Sequence, residues 1–289
     1  MAGIFGIGVS GVQAAQMGML VTQHNITNSN TPGYNRQSTI QTTSLPVGFS
    51  SGFMGNGTQV TTVNRQYNSF LTDQVRRAST EFSSLDAQFS QIQIVDDLLA
   101  DANAGVSPAL QDFFKGLQQV SAAPSSIPAR QSMVSSAEAL VSRLQGADQR
   151  MSELYGQVNQ QIADSVSLIN TYGKQIASLN QQITIAESAV NQPANDLLDQ
   201  RDNLISELNK LVKVETISLG QGGLEVMIGK GQVLVMGNQA NEMSAVRSSI
   251  DPTRTTVAIN LGNGKQELPE SIIEGGKLGG LLEFLSGTL

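Results

Sequence analysis

Apolar residues recur at alternating intervals of three and four positions within residues 151–190. The repeating positions are Ile169, Tyr172, Ile176, Leu179, Ile183, Ala186 and Val190. Such a heptad repeat lines one side of a helix, and that side needs a partner. The segment NQPAND interrupts the repeat, which Leu197, Leu204, Leu208 and Leu211 then resume. We therefore predict that residues 169–190 and 197–212 form an antiparallel helical pair. The repeat leaves open whether it faces the interior of one bundle or a neighbouring subunit.

Helical periodicity also covers the segment that begins at residue 67. Its apolar positions are Phe70, Leu71, Val75, Phe82, Leu85, Phe89, Ile92 and Val95. Their spacing predicts one apolar stripe along a long helix. A shorter helix should follow, with Ser107 as its N-cap and Pro108 at its first position, and a third should begin after Pro128. Residues 67–212 are thus predicted to form a long helical bundle.

Two segments carry strand patterns instead. Residues 36–66 alternate small, polar and β-branched residues around several glycines, which predicts an extended or β-ribbon linker. Residues 213–268 contain VETISL, GLEVMI, QVLVM and TTVAINL between turns, which predicts a small antiparallel β subdomain. Residues 269–289 begin a further helix. The predicted fold class is mainly α: an elongated helical bundle with long antiparallel helices, plus a small antiparallel β subdomain.

Residues 1–35 contain an uncharged apolar run that ends in a turn-rich stretch. Ser10, Gln13 and Gln16 fit the polar side of an amphipathic helix. The opposite side consists of Ile4, Ile7, Gly11, Ala14, Ala15, Gly18 and Val21. A cleaved signal peptide needs a positively charged start, whereas the first Lys or Arg is Arg36, and polar glutamines disfavour insertion into a membrane. We predict an amphipathic helix whose small and apolar residues form an assembly interface.

The stretch HNITNSNTPGYNRQ, residues 24–37, follows this helix. Asparagine and serine side chains hydrogen-bond the local backbone in place of helical hydrogen bonds. Pro32 disfavours the helical region for Thr31, and Gly33 permits a positive φ. The stretch therefore predicts a helix stop followed by a shaped turn.

Composition argues against several functions. The chain of 289 residues has a net charge of −7, and its 17 Lys and Arg residues are scattered, which disfavours nucleic acid as a partner. There is no cysteine, hence no disulfide, thiolate nucleophile or cysteine-based zinc site. The one histidine, His24, makes neither a metal site nor a hydrolytic constellation. We predict no cofactor, no metal site and no catalytic residue.

Asp196, Asp199 and Asp202 are the residues that most suggest chemistry, because carboxylates can act as general acids and bases. Their spacing of three places them on one broad helix face. Acids at a helix start are stabilised by the positive end of the macrodipole. We interpret them as the solvated start of a helix. The alternative is a carboxylate-based cell-wall hydrolase, which would need paired acids in a cleft.

The segment GVSGVQAAQMGMLVTQHNITNSNTPGYNRQ resembles the N-terminal signature of the bacterial flagellar axial proteins, which are the rod, hook and hook-associated proteins. In that signature an amphipathic helix precedes an asparagine-rich core and a Pro-Gly-Tyr turn. The matching positions are Asn25, Ile26, Asn28, Asn30, Pro32, Gly33 and Tyr34. Gln23 and His24 depart from the usual pattern. Further segments, among them NDLLDQRDNLISELNKLV, resemble the hook-associated members at the hook–filament junction, and the resemblance runs from residue 3 to about residue 284.

The resemblance implies a non-enzymatic structural protein of the flagellum, an adaptor at the hook–filament junction that self-assembles and allows filament assembly. It implies an extracellular location, reached through the flagellar type III export channel without a cleaved signal peptide. The implied partners are further copies in a ring or helical assembly, the hook protein, the second junction hook-associated protein and an export chaperone. The alternative is a hook or distal-rod protein of the same axial family.

The family continues beyond LEFLSGTL into outer domains and a C-terminal helix that pairs with the N-terminal one, so the chain is expected to be C-terminally truncated. Without that partner, residues 1–35 are expected to be poorly ordered in the isolated chain.

Overall fold

The computed structural model describes residues 4–100, 105–260 and 264–287. The helices are α1 (Ile4–Thr27), α2 (Ser69–Ala100), α3 (Val106–Ala122), α4 (Ile127–Val190), α5 (Asn195–Leu211) and α6 (Gly276–Gly287). The first strands are β1 (Gln37–Thr43), β2 (Val47–Phe49), β3 (Gly52–Met54) and β4 (Thr58–Arg65). The later strands are β5 (Val214–Gly220), β6 (Gly223–Ile228), β7 (Gln232–Met236), β8 (Gln239–Ala240), β9 (Glu242–Arg247), β10 (Thr255–Asn260) and β11 (Lys265–Glu267). The predicted mainly α fold with β elements is confirmed.

The chain divides into two compact units. The first unit contains residues 1–79, 169–209 and 213–242. The second unit contains residues 80–168, 210–212 and 243–289. Helices α2, α4 and α5 each contribute to both units, so a unit is not a continuous stretch of sequence.

Helix α4 has 64 residues and unites two segments that the sequence suggested separately. It contains both the third predicted helix and the heptad repeat. The only proline within it is Pro128, in the first turn, where a missing N–H costs no helical hydrogen bond. The N-cap of α3 is Gly105, not Ser107, and the cap makes no side-chain hydrogen bond.

Four of the seven positions of the heptad repeat are buried in the first unit, as the antiparallel pair requires. Ile169, Ile176 and Ile183 are fully buried. Arg201 Nη1 donates to Asn180 Oδ1 over 2.9 Å, so α5 runs back along α4 after the turn. This confirms the predicted pairing, but Ile205 of α5 is fully buried and Leu204 only half-buried.

A β-sheet, and not only α5, covers this part of α4. Strands β5 to β8 form a four-stranded antiparallel sheet in sequence order. Leu234 of β7 packs 3.4 Å from the position that a Cβ of Gly173 would occupy. The side chain of Asn180 donates to the backbone oxygens of Leu224 and Gly237, over 2.9 and 2.7 Å. The heptad repeat therefore packs against both helix α5 and the sheet of strands β5 to β8.

The β subdomain predicted as one sheet over residues 213–268 forms two sheets. Strands β9 to β11 make a separate three-stranded sheet in the order β11-β10-β9. The sequence showed the strands and turns but not which strands pair. In the second unit, Asn159 of α4 donates to the Thr253 oxygen and accepts from the Thr255 N–H, over 3.0 and 2.9 Å.

The apolar stripe predicted on α2 is exposed, with Phe82 at 70% and Phe89 at 64% of full exposure. Within the second unit α2 instead buries Ala87 and Gln91. Gly280 of α6 lies directly against the backbone carbonyl of Ser84, where a Cβ would collide. Since this approach requires small side chains at the contact, the large apolar residues of α2 face outward.

Most of the core residues of the second unit come from α4, β10 and α6. They are Leu154, Val158, Ile162, Val166, Val257, Ile259, Leu278, Leu281, Phe284 and Leu285. Helix α6 lies inside the segment 269–289 that was expected to begin a helix.

Candidate functional site

The turn-rich stretch, which we call the signature turn (residues 25–37), forms as a helix stop after α1. Helix α1 ends at Thr27, and the backbone N–H of Thr31 donates to the Asn28 oxygen over 3.0 Å. Gly33 has a φ of +78°, which non-glycine residues rarely adopt. The Tyr34 N–H then donates to the Thr31 oxygen over 3.2 Å. The predicted stop and the predicted positive φ are both present.

Gly33 also lies against α5. A Cβ built on Gly33 would stand 2.8 Å from the Cβ of Asn203. Real Cβ atoms do not approach a side-chain carbon so closely, and the Asn203 Cβ cannot move without its backbone. Two features therefore require glycine at this position: the positive φ and the close approach of Asn203.

Asn25 joins the end of α1 to the start of β1. Its Nδ2 donates to the backbone oxygen of Gln37 over 2.9 Å, and its Oδ1 accepts from the Gln37 N–H over 2.8 Å. The Tyr34 hydroxyl donates to the same Oδ1 over 2.7 Å. Partial burial and the charges of Asp196 and Asp199 raise the pKa of Tyr34, so its hydroxyl keeps the proton that it donates.

The acidic face of α5 receives the signature turn. Asp199 is buried, with 5% of its surface exposed, and it accepts from the Asn35 N–H over 2.8 Å and from Asn35 Nδ2 over 2.7 Å. Asp196 accepts from Gln37 Nε2 over 2.7 Å. These contacts join residues far apart in the chain, so they fix the position of the turn on the helix.

Arg65, at the end of β4, completes this network. Its Nη1 donates to Asp199 Oδ1 over 2.9 Å and to Asp202 Oδ2 over 2.5 Å. Burial alone would lower the pKa of Arg65, but the charges and hydrogen bonds of Asp202 and Asp199 raise it. Arg76 of α2 lies 3.6 Å from the other oxygen of Asp202. Two arginines from different elements thus meet one helix face.

The solvated helix start predicted for Asp196, Asp199 and Asp202 describes Asp196 but is wrong for Asp199 and Asp202. Asp196 does lie in the first turn of α5 and its side chain is 57% exposed, but Asp199 and Asp202 are enclosed by the donors described above. Both oxygens of Asp199 accept hydrogen bonds. The arrangement is an ion-pair network that joins Arg65, Arg76 and the turn to α5.

Helix α1 packs lengthwise on the hairpin of β1 and β4. At its far end Ser10 Oγ donates to the Ile7 oxygen over 2.8 Å and accepts from the Thr58 N–H over 3.2 Å. Gly57, with a φ of +89°, lies against Ser10, and a Cβ there would collide with the hydroxyl. Ser10, predicted on the polar side of α1, thus lies on the side that packs against the hairpin, where a small hydroxyl that bonds its own helix fits.

The predicted interface residues of α1 occupy different environments. Ala14 is buried, Ile7, Gly18 and Val21 are half-buried, and Gly11 and Ala15 are exposed. The side chain of Ile4 lies outside the described residues. Large apolar residues cover the outward side, among them Phe5 at 89% and Leu20 at 59% exposure. Packing on the hairpin thus leaves an apolar outer surface on α1.

The residues of the family signature also differ in how deeply they are buried. Asn25, Asn28 and Tyr34 are half-buried in the hydrogen-bonded site. The exposed members are Ile26, Asn30, Pro32 and Gly33.

Sequence reasoning missed the residues that bind the acidic face of α5. They are chiefly Asn35 and Gln37 of the turn and Arg65 of β4. Arg36 and Arg65 bracket an uncharged run, and three acids follow at α5. That charge complementarity was the available signal for Arg65. Nothing in the local sequence marks the amide side chains of Asn35 and Gln37 as partners of α5.

Within residues 4–100, 105–260 and 264–287, no cluster of histidine and carboxylate side chains has a geometry that could hold a metal ion. None of the helices described for the chain combines the length and the apolar character needed to cross a membrane.

The relatives found by comparison with known proteins agree with one another. The family profile described as the helical domain of the flagellar hook-associated protein FlgK matches residues 89–289. The flagellar hook-associated protein 1 of Salmonella typhimurium is 40% identical over 291 aligned positions, covering 100% of this chain and 53% of that protein. The protein of the same name in Escherichia coli K12 is 38% identical with the same coverage. The chain therefore spans about half the length of the curated relatives it matches.

A solved structure agrees with these relatives. The flagellar hook junction protein FlgK from Burkholderia pseudomallei superposes with a TM-score of 0.67 at 36% identity. The match covers 74% of this chain and 39% of that one. The family profile begins after the signature turn, whereas the alignments to the Salmonella and E. coli proteins include it.

Proposed function

This chain belongs to the family of the flagellar hook-associated protein FlgK, and from that premise we propose that it is a structural adaptor at the hook–filament junction of the bacterial flagellum. It self-assembles into the axial structure and allows the filament to assemble beyond it. The observation that carries this proposal is the alignment of the whole chain with proteins named flagellar hook-associated protein 1. We propose no enzymatic activity.

The proposed self-assembly uses the outer surface of α1 together with the predicted interface residues. Residues 1–64 contain a single Asp, Glu, Lys or Arg, which is Arg36. Identical surfaces without charge come together without like-charge repulsion, and burying apolar area contributes about 25 cal/mol per Å². The exposed apolar side chains of α1 supply such area.

The proposed role of the signature turn is geometric. It sets the angle at which the chain leaves α1, and the acidic face of α5 holds it there through Asp199 and Asp196. Every subunit of an assembly would then present α1 in the same orientation. This supports a role in seating α1 among its neighbours.

The finer proposals rest on family membership. The partners are further copies of the chain, the hook protein, the second junction hook-associated protein and an export chaperone. The protein works outside the cell, in the flagellum, after passage through the flagellar type III export channel without a cleaved signal peptide.

Deletion of the gene tests the proposed function. We expect cells without it to carry hooks without filaments and to release unassembled filament subunits into the medium. The full-length gene supplied in trans should restore filaments. Filaments of normal number and length in the deletion strain would contradict the adaptor role.

A self-assembly variant tests the proposed interface separately. Ala15 and Gln16 are adjacent exposed residues of α1, and only Ala15 belongs to the predicted interface. We expect Ala15→Glu in the full-length protein to reduce filament number strongly, because it places a charge in an apolar contact, and Gln16→Glu to reduce it less. Equal effects would contradict the assignment of the interface to that side of the helix.

A further inference from the structure

The loop that joins β3 to β4 contains the pair Asn56-Gly57. The sequence holds two such Asn-Gly pairs, and the second is Asn263-Gly264. The loop belongs to neither strand, so no ladder of hydrogen bonds fixes its backbone. Asn56 and Gly57 are both half-buried, so solvent water reaches them.

An asparagine that precedes a glycine can lose its side-chain amide by reaction with its own backbone. The backbone nitrogen of the following residue attacks the carbonyl carbon of the side chain, and ammonia leaves. The product is a five-membered succinimide ring. Glycine favours this attack, because it places no side chain beside the attacking nitrogen and restricts the backbone least.

The two reacting groups of this loop are not engaged by other residues. Within the described parts of the chain, the Asn56 side chain and the Gly57 N–H form no hydrogen bond. The Gly57 oxygen accepts from the Ser44 N–H over 3.0 Å, which leaves the nitrogen available. By contrast, the side-chain amides of Asn25 and Asn195 donate to backbone oxygens over 2.9 and 2.6 Å. Asn56 can therefore turn toward the Gly57 nitrogen without breaking a hydrogen bond.

The fold requires glycine at position 57, although glycine makes Asn56 reactive. Gly57 has a φ of +89°, and a Cβ there would collide with the hydroxyl of Ser10. A larger residue would slow the attack on Asn56, but it could not occupy this place against α1. The packing of α1 thus maintains the reactive pair.

We propose that Asn56 is a site of spontaneous deamidation, and that its isoaspartate product detaches the far end of α1 from the β1–β4 hairpin. The inference rests on the contact between α1 and the hairpin and does not depend on the proposed function.

The reaction needs only water as a co-reactant. In the first step a bond forms between the side-chain carbonyl carbon of Asn56 and the Gly57 nitrogen, the bond to the side-chain nitrogen breaks, and the Gly57 proton passes to solvent as ammonia leaves. Water then opens the ring at one of its two carbonyl carbons. Opening at the side-chain carbon gives aspartate. Opening at the main-chain carbon gives isoaspartate, in which the chain continues through the former side chain. No atom is oxidised or reduced.

Isoaspartate changes the backbone where α1 is attached. The Thr58 N–H donates to Ser10 Oγ over 3.2 Å, and Gly57 lies directly against the same hydroxyl. An extra backbone carbon immediately before Gly57 shifts these two contacts relative to the rest of the loop. The new carboxylate is also the first negative charge within residues 1–64, whose one charged residue is Arg36. Both changes oppose the seating of α1.

Nuclear magnetic resonance of the protein during storage in warm, mildly alkaline buffer tests the reaction. The substitution Asn263→Gln removes the other Asn-Gly pair, so that Asn56 can be followed alone. We expect loss of the side-chain amide signals of Asn56 while those of Asn25 and Asn195, which are held by backbone oxygens, persist. Peptide mapping of the same sample should find isoaspartate at position 56. Persistence of the Asn56 signals, or their loss at the same rate as those of Asn25, would overturn the proposal.

The contact between Ser10 and Gly57 tests the consequence. Cross-peaks between protons of these residues should be present in fresh protein and should disappear as isoaspartate forms. Asn56→Gln is the matched control: it keeps a neutral amide, but its longer side chain would have to close a six-membered ring, so its cross-peaks should survive the same storage. Fresh Asn56→Asp adds the charge without the extra backbone carbon and should also keep them. Cross-peaks that are absent at the start, unchanged after isoaspartate has formed, or equally lost in fresh Asn56→Asp would refute detachment by isoaspartate.

Discussion

At the scale of single residues, Gly33 shows what sequence could and could not predict. The Pro-Gly pair predicted the positive φ, because the reason is local. The contact with Asn203 could not be predicted, since it joins residues 170 positions apart in sequence whose proximity depends on the packing of α5. The same limit applies to Asp199: its spacing on the helix was readable, but its burial under Asn35 and Arg65 was not.

Gly220 is the matched control for Gly33. The φ of Gly220 is +77° and that of Gly33 is +78°, but a Cβ on Gly220 would meet open space. We expect Gly220→Ala to lower the free energy of unfolding by about 1–2 kcal/mol through φ alone. Gly33→Ala should cost more, because Asn203 must also move. Urea unfolding measures the free energy of unfolding of both variants. Equal losses would show that Asn203 moves away from position 33 at no cost.

Gly33→Val in the full-length protein should also impair assembly in cells. The contact with Asn203 raises the expected loss of stability above the φ cost of about 1–2 kcal/mol. Filament counts beside thermal unfolding of the purified variant separate the two effects: normal filaments would show that the turn is only a linker.

The acidic face of α5 offers a second comparison between residues. Asp199 is 5% exposed and binds Arg65, whereas the side chain of Asp196 is 57% exposed. Asp199→Ala should destabilise the protein by about 3–5 kcal/mol, because it removes a buried carboxylate and leaves Arg65 and Asn35 without the hydrogen bonds that it accepts. Asp196→Ala should cost less than about 1 kcal/mol. Denaturant midpoints with unchanged slopes would measure both, and similar losses would contradict the burial assigned to the network.

At the scale of elements, periodicity predicted helices well and their surroundings poorly. The repeat on α4 was found correctly, but the sequence pattern could not show that β5 to β8 cover it. The stripe on α2 was equally regular and is exposed, since α2 instead presents its backbone at Ser84 to Gly280 of α6 and buries Ala87. Spacing reveals which residues share a face, whereas only packing decides which face is buried.

The repeat on α4 contains its own control. Ile176 is fully buried and Val190, at the end of the same repeat, is 66% exposed. Ile176→Ala should lower the free energy of unfolding by about 2–5 kcal/mol, which is the cost of a cavity in a packed core. Val190→Ala should change it by less than about 0.5 kcal/mol, as surface substitutions do. A melting transition unaffected by Ile176→Ala would indicate that the repeat faces a neighbouring subunit.

At the scale of the whole molecule, charge is distributed very unevenly. Residues 1–64 carry only Arg36, while the remainder carries the other 16 Lys and Arg and all 24 Asp and Glu, a net charge of −8 against −7 for the whole chain. The part with little charge contains the predicted assembly interface of α1. Composition could predict this division, but it could not predict that α1 packs on its own β hairpin through Ser10 and Asn25.

The isolated chain should hold α1 weakly. Ala14 is the only buried residue among those of α1 whose burial is described, so little apolar area is buried to offset the entropy of ordering the helix. We expect the amides of residues 5–20 to exchange much faster than those of Ile176 and its neighbours in α4. Hydrogen exchange of the monomer measures this, and strong protection of residues 5–20 would show that the hairpin contacts suffice.

The uncharged surface of α1 and its hairpin also determines how an assembly would respond to its medium. Ionic strength screens contacts between charges, with a Debye length of about 8 Å at physiological salt, but hardly affects apolar contacts. Subunits joined through this surface should hold together equally well in dilute and in saline water. Their cohesion should instead follow temperature and weaken on cooling, because apolar burial loses strength in the cold.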